Sequence, residues 1–279
     1  MILPARQSKF HSLWEREHLG AGLQTWALLP AAVLAGWPVL WWMGRRALDG
    51  GDEPWGLLAA GLAIGLTPKD VWLRPVTTLQ MSLALAGLLV SAWAMPEAPP
   101  LFRGLVWVAS VAVLTWGGAG SWGRLGLWIL ALPVTASLQF YAGYPLRVVA
   151  AEASRFLLAG VGMVTQREGV VLRWTGGDVI VDAPCSGVQM LWTSALLAAA
   201  LCAGFRMSFW RTAHTALATV VIVLAANAIR VTLLFFVESG LWPWARPFHE
   251  AIGLLVFLGS VLGIFIWTRG QESLIARSP

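Results

Sequence analysis

Apolar segments long enough to cross a lipid bilayer recur along this chain, and they constrain its fold more than any other feature. Of its 279 residues, 58% are hydrophobic and only 12% are charged, and the mean hydropathy is +0.70. A soluble domain rarely has this balance, because its surface must be covered by polar groups. At roughly 20 apolar residues per span, the length accommodates about eight transmembrane helices and no large water-soluble domain. The sequence therefore predicts a single membrane domain over residues 1–279.

Eight apolar segments are predicted to be spans, separated by polar, Pro-rich or Gly-rich breaks. They cover residues 19–43, 55–67, 76–95, 104–116, 125–142, 187–205, 212–237 and 249–267. A polar break is predicted at 45–54 and a loop at 68–70. The first segment is too long for the core of a signal peptide, so it is expected to remain as an uncleaved span.

The basic residues indicate topology rather than a nucleic-acid partner. The formal charge is +5, but Lys and Arg are scattered along the loops and form no patch. They are more numerous in the segments that lie inside when the N-terminus is cytoplasmic than in the short outer loops. We therefore predict an inner-membrane protein with cytoplasmic N- and C-termini.

One long connection, residues 143–186, interrupts the series of spans and is predicted to lie at the outer, periplasmic face. Its first part, 146–163, mixes apolar residues with Arg147, Glu152 and Arg155, as an amphipathic helix on a membrane surface does. Two β-branched stretches, 169–174 and 178–182, follow with glycines between them, which predicts a β-hairpin. The expected fold is an all-α polytopic membrane protein with this helix and hairpin between the fifth and sixth spans.

Cys185 lies between the predicted hairpin and the sixth span, which places its thiol at the outer face near the start of a helix. Helix N-termini favour thiolates. Ser186 and Gly187 follow directly, and Gln189 shares a helical face with Cys185, within reach of a hydrogen bond. The alternative interpretation is a buried cysteine that packs as a small apolar residue. The two cysteines, Cys185 and Cys202, are too few for a disulfide framework, and their spacing matches no metal-ligand pattern. No metal or organic cofactor is predicted.

Arg230 interrupts the apolar seventh segment about 10 Å from its predicted outer end. A charge at this depth costs several kcal/mol unless it is paired or hydrated. Asn227 lies three residues earlier on the same helical face, so the two side chains mark a polar surface that points into the bundle or a cavity. The alternative is an arginine that extends to the outer interface.

His249 opens the eighth segment on the same outer side, with Glu250 beside it. Topology therefore brings a thiol, a guanidinium and an imidazole to one membrane face. A thiolate attacks a peptide carbonyl, and an imidazole takes the thiol proton and later protonates the leaving amine. A guanidinium holds the developing oxyanion and favours the thiolate. Water or an amine then resolves the acyl-enzyme, which gives a protease or a transpeptidase.

The sequence resembles the exosortase and archaeosortase family of membrane sorting enzymes. The resembling motifs are APCSGVQML with Cys185, NAIR with Asn227 and Arg230, and HEAIG with His249. The resemblance implies that Cys185 is the nucleophile, Arg230 the transition-state stabiliser and His249 the acid or base. Because archaeal members often have arginine where His249 stands, the chain resembles the bacterial branch.

The resemblance also implies the substrates, which are membrane-anchored proteins ending in a short motif such as Pro-Glu-Pro, a transmembrane helix and a basic tail. The enzyme would remove that tail at the outer face and transfer the protein to an unknown acceptor. Two alternatives remain open. In the first, the chain is a transporter or channel in which Arg230 and Asn227 line a pathway for an anionic solute. In the second, the chain is a non-catalytic scaffold for envelope export.

Overall fold

The computed structural model describes residues 28, 30–48, 55–94, 97–118, 120–242 and 247–273. Within these ranges the chain is mostly helical, with one small sheet. It separates into two compact units, Met1–Pro133 and Val134–Pro279. The assignment of residues 1–279 to a single domain stays a prediction.

The first unit consists of helices joined by short connections. They are α1 (Trp37–Leu48), α2 (Trp55–Gly65), α3 (Lys69–Leu73), α4 (Thr78–Leu89), α5 (Pro100–Leu114) and α6 (Ser121–Ala131), and a π-helical turn, Val90–Ala94, extends α4. Thr77 and Gln80 form a capping box that starts α4, because each side chain satisfies a backbone N–H of the other. Helix α2 packs against α6, and α4 against α5.

Two predicted boundaries in this unit are wrong. Helix α1 continues through Arg45 and Arg46 to Leu48, so the helix does not stop where the polar break was expected. Both arginines lie in its last turn, where cations interact favourably with the helix dipole. The predicted loop at 68–70 instead begins the short helix α3, for which Pro68 is the N-terminal cap and Asp70 an acidic residue in the first turn. The start of the first predicted span, at residue 19, lies outside the described residues.

The predicted fifth helix, 125–142, is not continuous. Helix α6 ends at Ala131, Leu132 is extended with φ −72° and ψ 149°, and α7 (Thr135–Gly160) then begins. The reason is Pro133, which disfavours helical backbone at the residue before it. The amphipathic segment that we expected as a separate helix at 146–163 is the second half of α7, which passes through Pro145 without ending.

A three-stranded antiparallel sheet follows α7 in the second unit. Its strands are β1 (Gln166–Glu168), β2 (Val171–Trp174) and β3 (Gly177–Ile180). The predicted hairpin is confirmed as β2 and β3, which pair Val171 with Ile180 and Trp174 with Gly177. Strand β1 was not predicted, because three polar residues carry no apolar alternation.

The sheet is fixed to the helices beside it. Leu172 and Val179 are buried in one apolar cluster with Leu158 of α7, and the Trp174 ring packs edge-on against Phe235, 5.9 Å between centroids. On the polar side, Arg167 donates to Glu152 of α7 at 2.7 Å. These contacts fix the direction in which the chain leaves β3.

The second unit is completed by a 3₁₀ turn, Ala183–Ser186, and three helices. They are α8 (Val188–Gly204), α9 (Phe209–Glu238) and α10 (Pro247–Ser273). Each agrees closely with a predicted apolar segment. Helix α10 packs against both α9 and α8, and α9 packs against α7.

Two described helices are long and apolar enough to cross a membrane on their own, over Phe209–Glu238 and Phe248–Gln271. Helices α6 and α7 satisfy the same conditions only when taken together as one broken span. Four shorter apolar helices lie elsewhere, and the longest of them, α8, has 17 residues and measures about 26 Å. The predicted number of eight spans is therefore not confirmed.

Candidate active site

Cys185 lies in the tight 3₁₀ turn that connects β3 to α8. Its backbone N–H donates to the carbonyl of Asp182 at 2.9 Å. Gly187 then adopts a left-handed conformation, φ +80°, and the carbonyl of Gly187 accepts the N–H of Leu191 in the first turn of α8. The cysteine is 8% exposed and is thus almost buried at the N-terminal end of α8. The sequence predicted this position at the start of a helix.

Asn227 of α9 ties this turn to the helix bundle. Its side-chain Nδ2 donates to the carbonyl of Cys185 at 3.0 Å, and the residue is only 2% exposed. A Cβ atom at Gly187 would lie 2.9 Å from Asn227 Cγ, which is closer than atoms tolerate. Glycine is therefore required at 187 for two reasons, the positive φ and the close approach of the Asn227 amide.

We expect Gly187→Ala to destabilise the protein more than Gly162→Ala does. Gly162 has nearly the same φ, +82°, but nothing lies within 4 Å of a Cβ placed there, so its substitution introduces only backbone strain. That strain costs about 1–2 kcal/mol, and the overlap with Asn227 adds about 1–3 kcal/mol. Melting temperatures of the two purified variants measure the difference. Equal losses would show that Asn227 is not held against the turn.

Ser186 ties the turn to a third helix. Its Oγ donates to Gln139 Oε1 of α7 at 3.1 Å and accepts the N–H of Val188 at 3.4 Å. Gln139 was missed in the sequence, because nothing local links it to a residue 47 positions later. Gln189 is exposed, and no hydrogen bond joins it to Cys185 within the described chain.

Arg230 connects the cysteine turn to α10. It lies on α9 eight residues before Glu238, about 12 Å along the axis. Its Nη1 donates to the carbonyl of Pro184, the residue before Cys185, at 3.4 Å. The guanidinium also lies near Gly253 of α10, where an added Cβ would be 3.4 Å from Nε. Nε is buried and has no hydrogen-bond partner among the described residues, so the guanidinium retains donor capacity.

His249 lies in the first turn of α10, one helical turn and hence about 6 Å along the axis before Gly253. Its Nδ1 is 3.1 Å from Glu238 Oε1, at the end of α9. Within the described residues, no hydrogen bond joins the imidazole to Cys185. The structure thus joins the cysteine turn to α9 through Asn227 and Arg230, and joins His249 to the end of the same helix through Glu238.

Burial dominates the ionisation of the Cys185 thiol. It raises the pKa of Cys185 above its ordinary value, and the charges of Asp182 and Glu238 raise it further. The positive charge of Arg230 acts in the opposite direction. The position at a helix N-terminus is therefore not sufficient to produce a thiolate, and a nucleophilic Cys185 needs a base to remove its proton.

The described residues contain no group of three or more His, Cys, Asp or Glu side chains arranged to hold a metal ion.

The model of one protein family, described as transmembrane exosortase, matches residues 14–266. The chain belongs to the exosortase family. The matched range contains Cys185, Arg230 and His249 and nearly all of the described helices, so the resemblance inferred from three short motifs is confirmed. This exosortase is a membrane protein. No curated protein and no solved structure matches it.

Proposed function

We propose that this exosortase is a membrane cysteine protease and transpeptidase that cleaves C-terminal sorting signals from secreted proteins. The observation that carries the proposal is the position of Arg230. Its guanidinium donates to the carbonyl of Pro184, next to Cys185, and lies so close to Gly253 on the helix that bears His249 that a Cβ added there would be 3.4 Å from Nε. A thiol, a cation with open donors and an imidazole are the groups that acyl transfer requires.

The reaction follows from these groups. His249 takes the proton of the Cys185 thiol, and the resulting thiolate forms a bond to the scissile carbonyl carbon. The negative charge that develops on the carbonyl oxygen is held by the N–H donors of Arg230. As the C–N bond breaks, His249 returns the proton to the leaving amine of the tail. Water or an acceptor amine then attacks the thioester and releases the protein.

Asn227 and Ser186 are proposed to act as supports for this reaction. Asn227 fixes the carbonyl of Cys185, and Ser186 is anchored to α7, so the backbone of the cysteine turn is held in place beside Arg230. Gly187 allows the approach of Asn227. Gln189 is exposed next to the turn and belongs to the surface that a peptide would meet.

The substrate is proposed to be a membrane-anchored protein that ends in a short motif, a transmembrane helix and a basic tail. Cleavage would take place at the periplasmic face of the inner membrane, with both termini of the enzyme in the cytoplasm. The acceptor nucleophile is not identified. Family membership favours this arrangement, and so does the location of Cys185 just before the apolar helix α8.

A transporter or channel would use Arg230 and Asn227 to line a solute pathway. In the structure, both side chains instead donate to consecutive carbonyls of the cysteine turn, Pro184 and Cys185. That geometry favours a reaction centre over a pathway. In a non-catalytic scaffold, Cys185 would serve only as a small apolar residue of the cluster in which it is buried, and its replacement by alanine would leave the function unchanged.

The experiment is co-expression of the wild-type protein with a candidate substrate from the same genome, chosen for its short motif, single apolar span and Arg-rich tail. Mass spectrometry is expected to show a product that lacks the span and tail, with either a free carboxylate or an added acceptor. An unprocessed substrate that is correctly inserted in the membrane, combined with solute flux in reconstituted vesicles, would support the transporter instead.

A further inference from the structure

Glu238 is the last residue of α9 and has no part in the mechanism above. Its Oε1 lies 3.1 Å from Nδ1 of His249, at the first turn of α10. Both side chains are partly exposed, 54% for Glu238 and 36% for His249. The pair therefore lies at the open end of the two helices, on the side from which a peptide can approach the imidazole.

This contact determines which nitrogen of the imidazole is available. A neutral imidazole carries one N–H, and the hydrogen bond made by one nitrogen sets the state of the other. A carboxylate only accepts, so Nδ1 must carry the proton in this contact. The lone pair is then on Nε2, and the ring plane is held by the bond to Glu238.

We propose that Glu238 is the positioning residue of His249, which holds the ring in the tautomer whose Nε2 accepts the proton of the Cys185 thiol. The inference rests on the proposed function, because it assigns a role within the same site. In the proton transfer from Sγ to Nε2, His249 becomes an imidazolium, and the Glu238 carboxylate stabilises that positive charge. When Nε2 returns the proton to the leaving amine, the neutral tautomer is restored.

Glu238 has a second and opposite effect, on the thiol. Its negative charge raises the pKa of Cys185, so removal of the charge favours the thiolate. A positioning role and a general structural role therefore predict different results for the Glu238→Gln variant. Loss of positioning slows cleavage, whereas alkylation at a pH high enough to ionise the Cys185 thiol without a base stays as fast or becomes faster. Damage to the fold lowers both.

The experiment compares Glu238→Gln and Glu238→Ala with Glu250→Gln. Glu250 is an ideal matched control, because it is an exposed carboxylate next to His249 in the sequence and makes no hydrogen bond to it in the described chain. Cleavage kinetics are measured with the substrate established by co-expression. The alkylation rate of Cys185 is measured in a Cys202→Ala background, in which Cys185 is the only thiol, and at a pH above the pKa of that thiol, where no base is needed to ionise it.

We expect kcat of Glu238→Gln to fall about 10- to 100-fold with KM nearly unchanged. This loss is a part of the 10²–10⁴-fold rate enhancement that a positioned acid–base group supplies. Glu238→Ala is expected to lose more, because the glutamine amide still offers an acceptor oxygen. Alkylation should be unchanged or faster in both, and Glu250→Gln should match the wild type in both assays.

A kcat of Glu238→Gln equal to that of the wild type would overturn the inference, as would a parallel fall of kcat and alkylation. Cleavage by the wild type that depends on Cys185 establishes the proposed function in the same experiment. If the wild type does not cleave, the proposed function fails, and this result is distinct from an unaffected Glu238→Gln variant.

Discussion

Replacing Cys185 with alanine is expected to abolish cleavage of the sorting signal, with a fall in rate of at least about 10³-fold. Without the thiol no acyl-enzyme forms, and the remaining guanidinium and imidazole can only assist a direct attack by water. The measurement is the fraction of a co-expressed substrate that loses its C-terminal tail, determined by gel shift and mass spectrometry.

Cys202→Ala is the matched control for this prediction. Cys202 is also buried, 1% exposed, but it lies near the other end of α8, about 21 Å along the axis from Val188. Its substitution changes only packing and the thiol's hydrogen bonds with Thr212 and Thr215, far from the site, so the variant is expected to cleave at the wild-type rate. Membrane expression and melting temperature are compared for the two variants. A Cys185→Ala protein that folds and still removes the tail would exclude the cysteine mechanism.

The chemistry-bearing residues could be predicted from the sequence because each one interrupts an otherwise apolar pattern. Arg230 is visible as a charge within a long apolar segment, and Cys185 as the residue where a β-branched stretch changes into such a segment. Helices α9 and α10 each contain the predicted segment because a long, mostly apolar stretch extends through both, and α10 continues beyond residue 267 to Ser273.

The partners of these residues could not be predicted, since they depend on how helices pack. Glu250 is adjacent to His249 in the sequence, but neighbouring positions on a helix do not face each other. Glu238, eleven positions earlier, meets His249 because α9 and α10 pack together. Gln139 reaches Ser186 by the same kind of long-range contact.

The break between α6 and α7 shows that average hydropathy also fails to predict where some helices end. Apolar residues continue on both sides of Pro133, so the mean hydropathy of the segment gives no sign that the helix ends there. The proline itself is the signal, since it removes an N–H and restricts Leu132 to extended backbone. The backbone restriction imposed by Pro133 therefore decides where α6 ends, although the whole segment is apolar.

Replacing Arg230 is expected to separate its two effects, on the thiol and on the oxyanion. In Arg230→Gln the charge is lost, so burial and the negative charges of Asp182 and Glu238 raise the pKa of Cys185 without opposition. At any pH below that raised pKa, a smaller fraction of the thiol is ionised. The alkylation rate of Cys185 should fall, and its pH profile should move to higher pH.

Arg230→Lys retains the positive charge and should leave this pH profile close to that of the wild type. A lysine ammonium does not reproduce the planar fork of donors that lies between Pro184 and Gly253, and it is strongly hydrated. Cleavage should therefore fall about 10²–10³-fold in Arg230→Lys, the usual cost of losing one oxyanion donor. Arg230→Gln should lose more, because it forfeits both effects.

The decisive comparison is between alkylation and cleavage in the two variants, each in a Cys202→Ala background. A lysine variant with normal alkylation and slow cleavage identifies Arg230 as a group that acts on the transition state. Equal reductions of both rates in Arg230→Lys would instead show that the arginine only favours the thiolate. Full cleavage by Arg230→Gln would mean that the contact with Pro184 serves the fold of the cysteine turn and that the oxyanion is held by other donors.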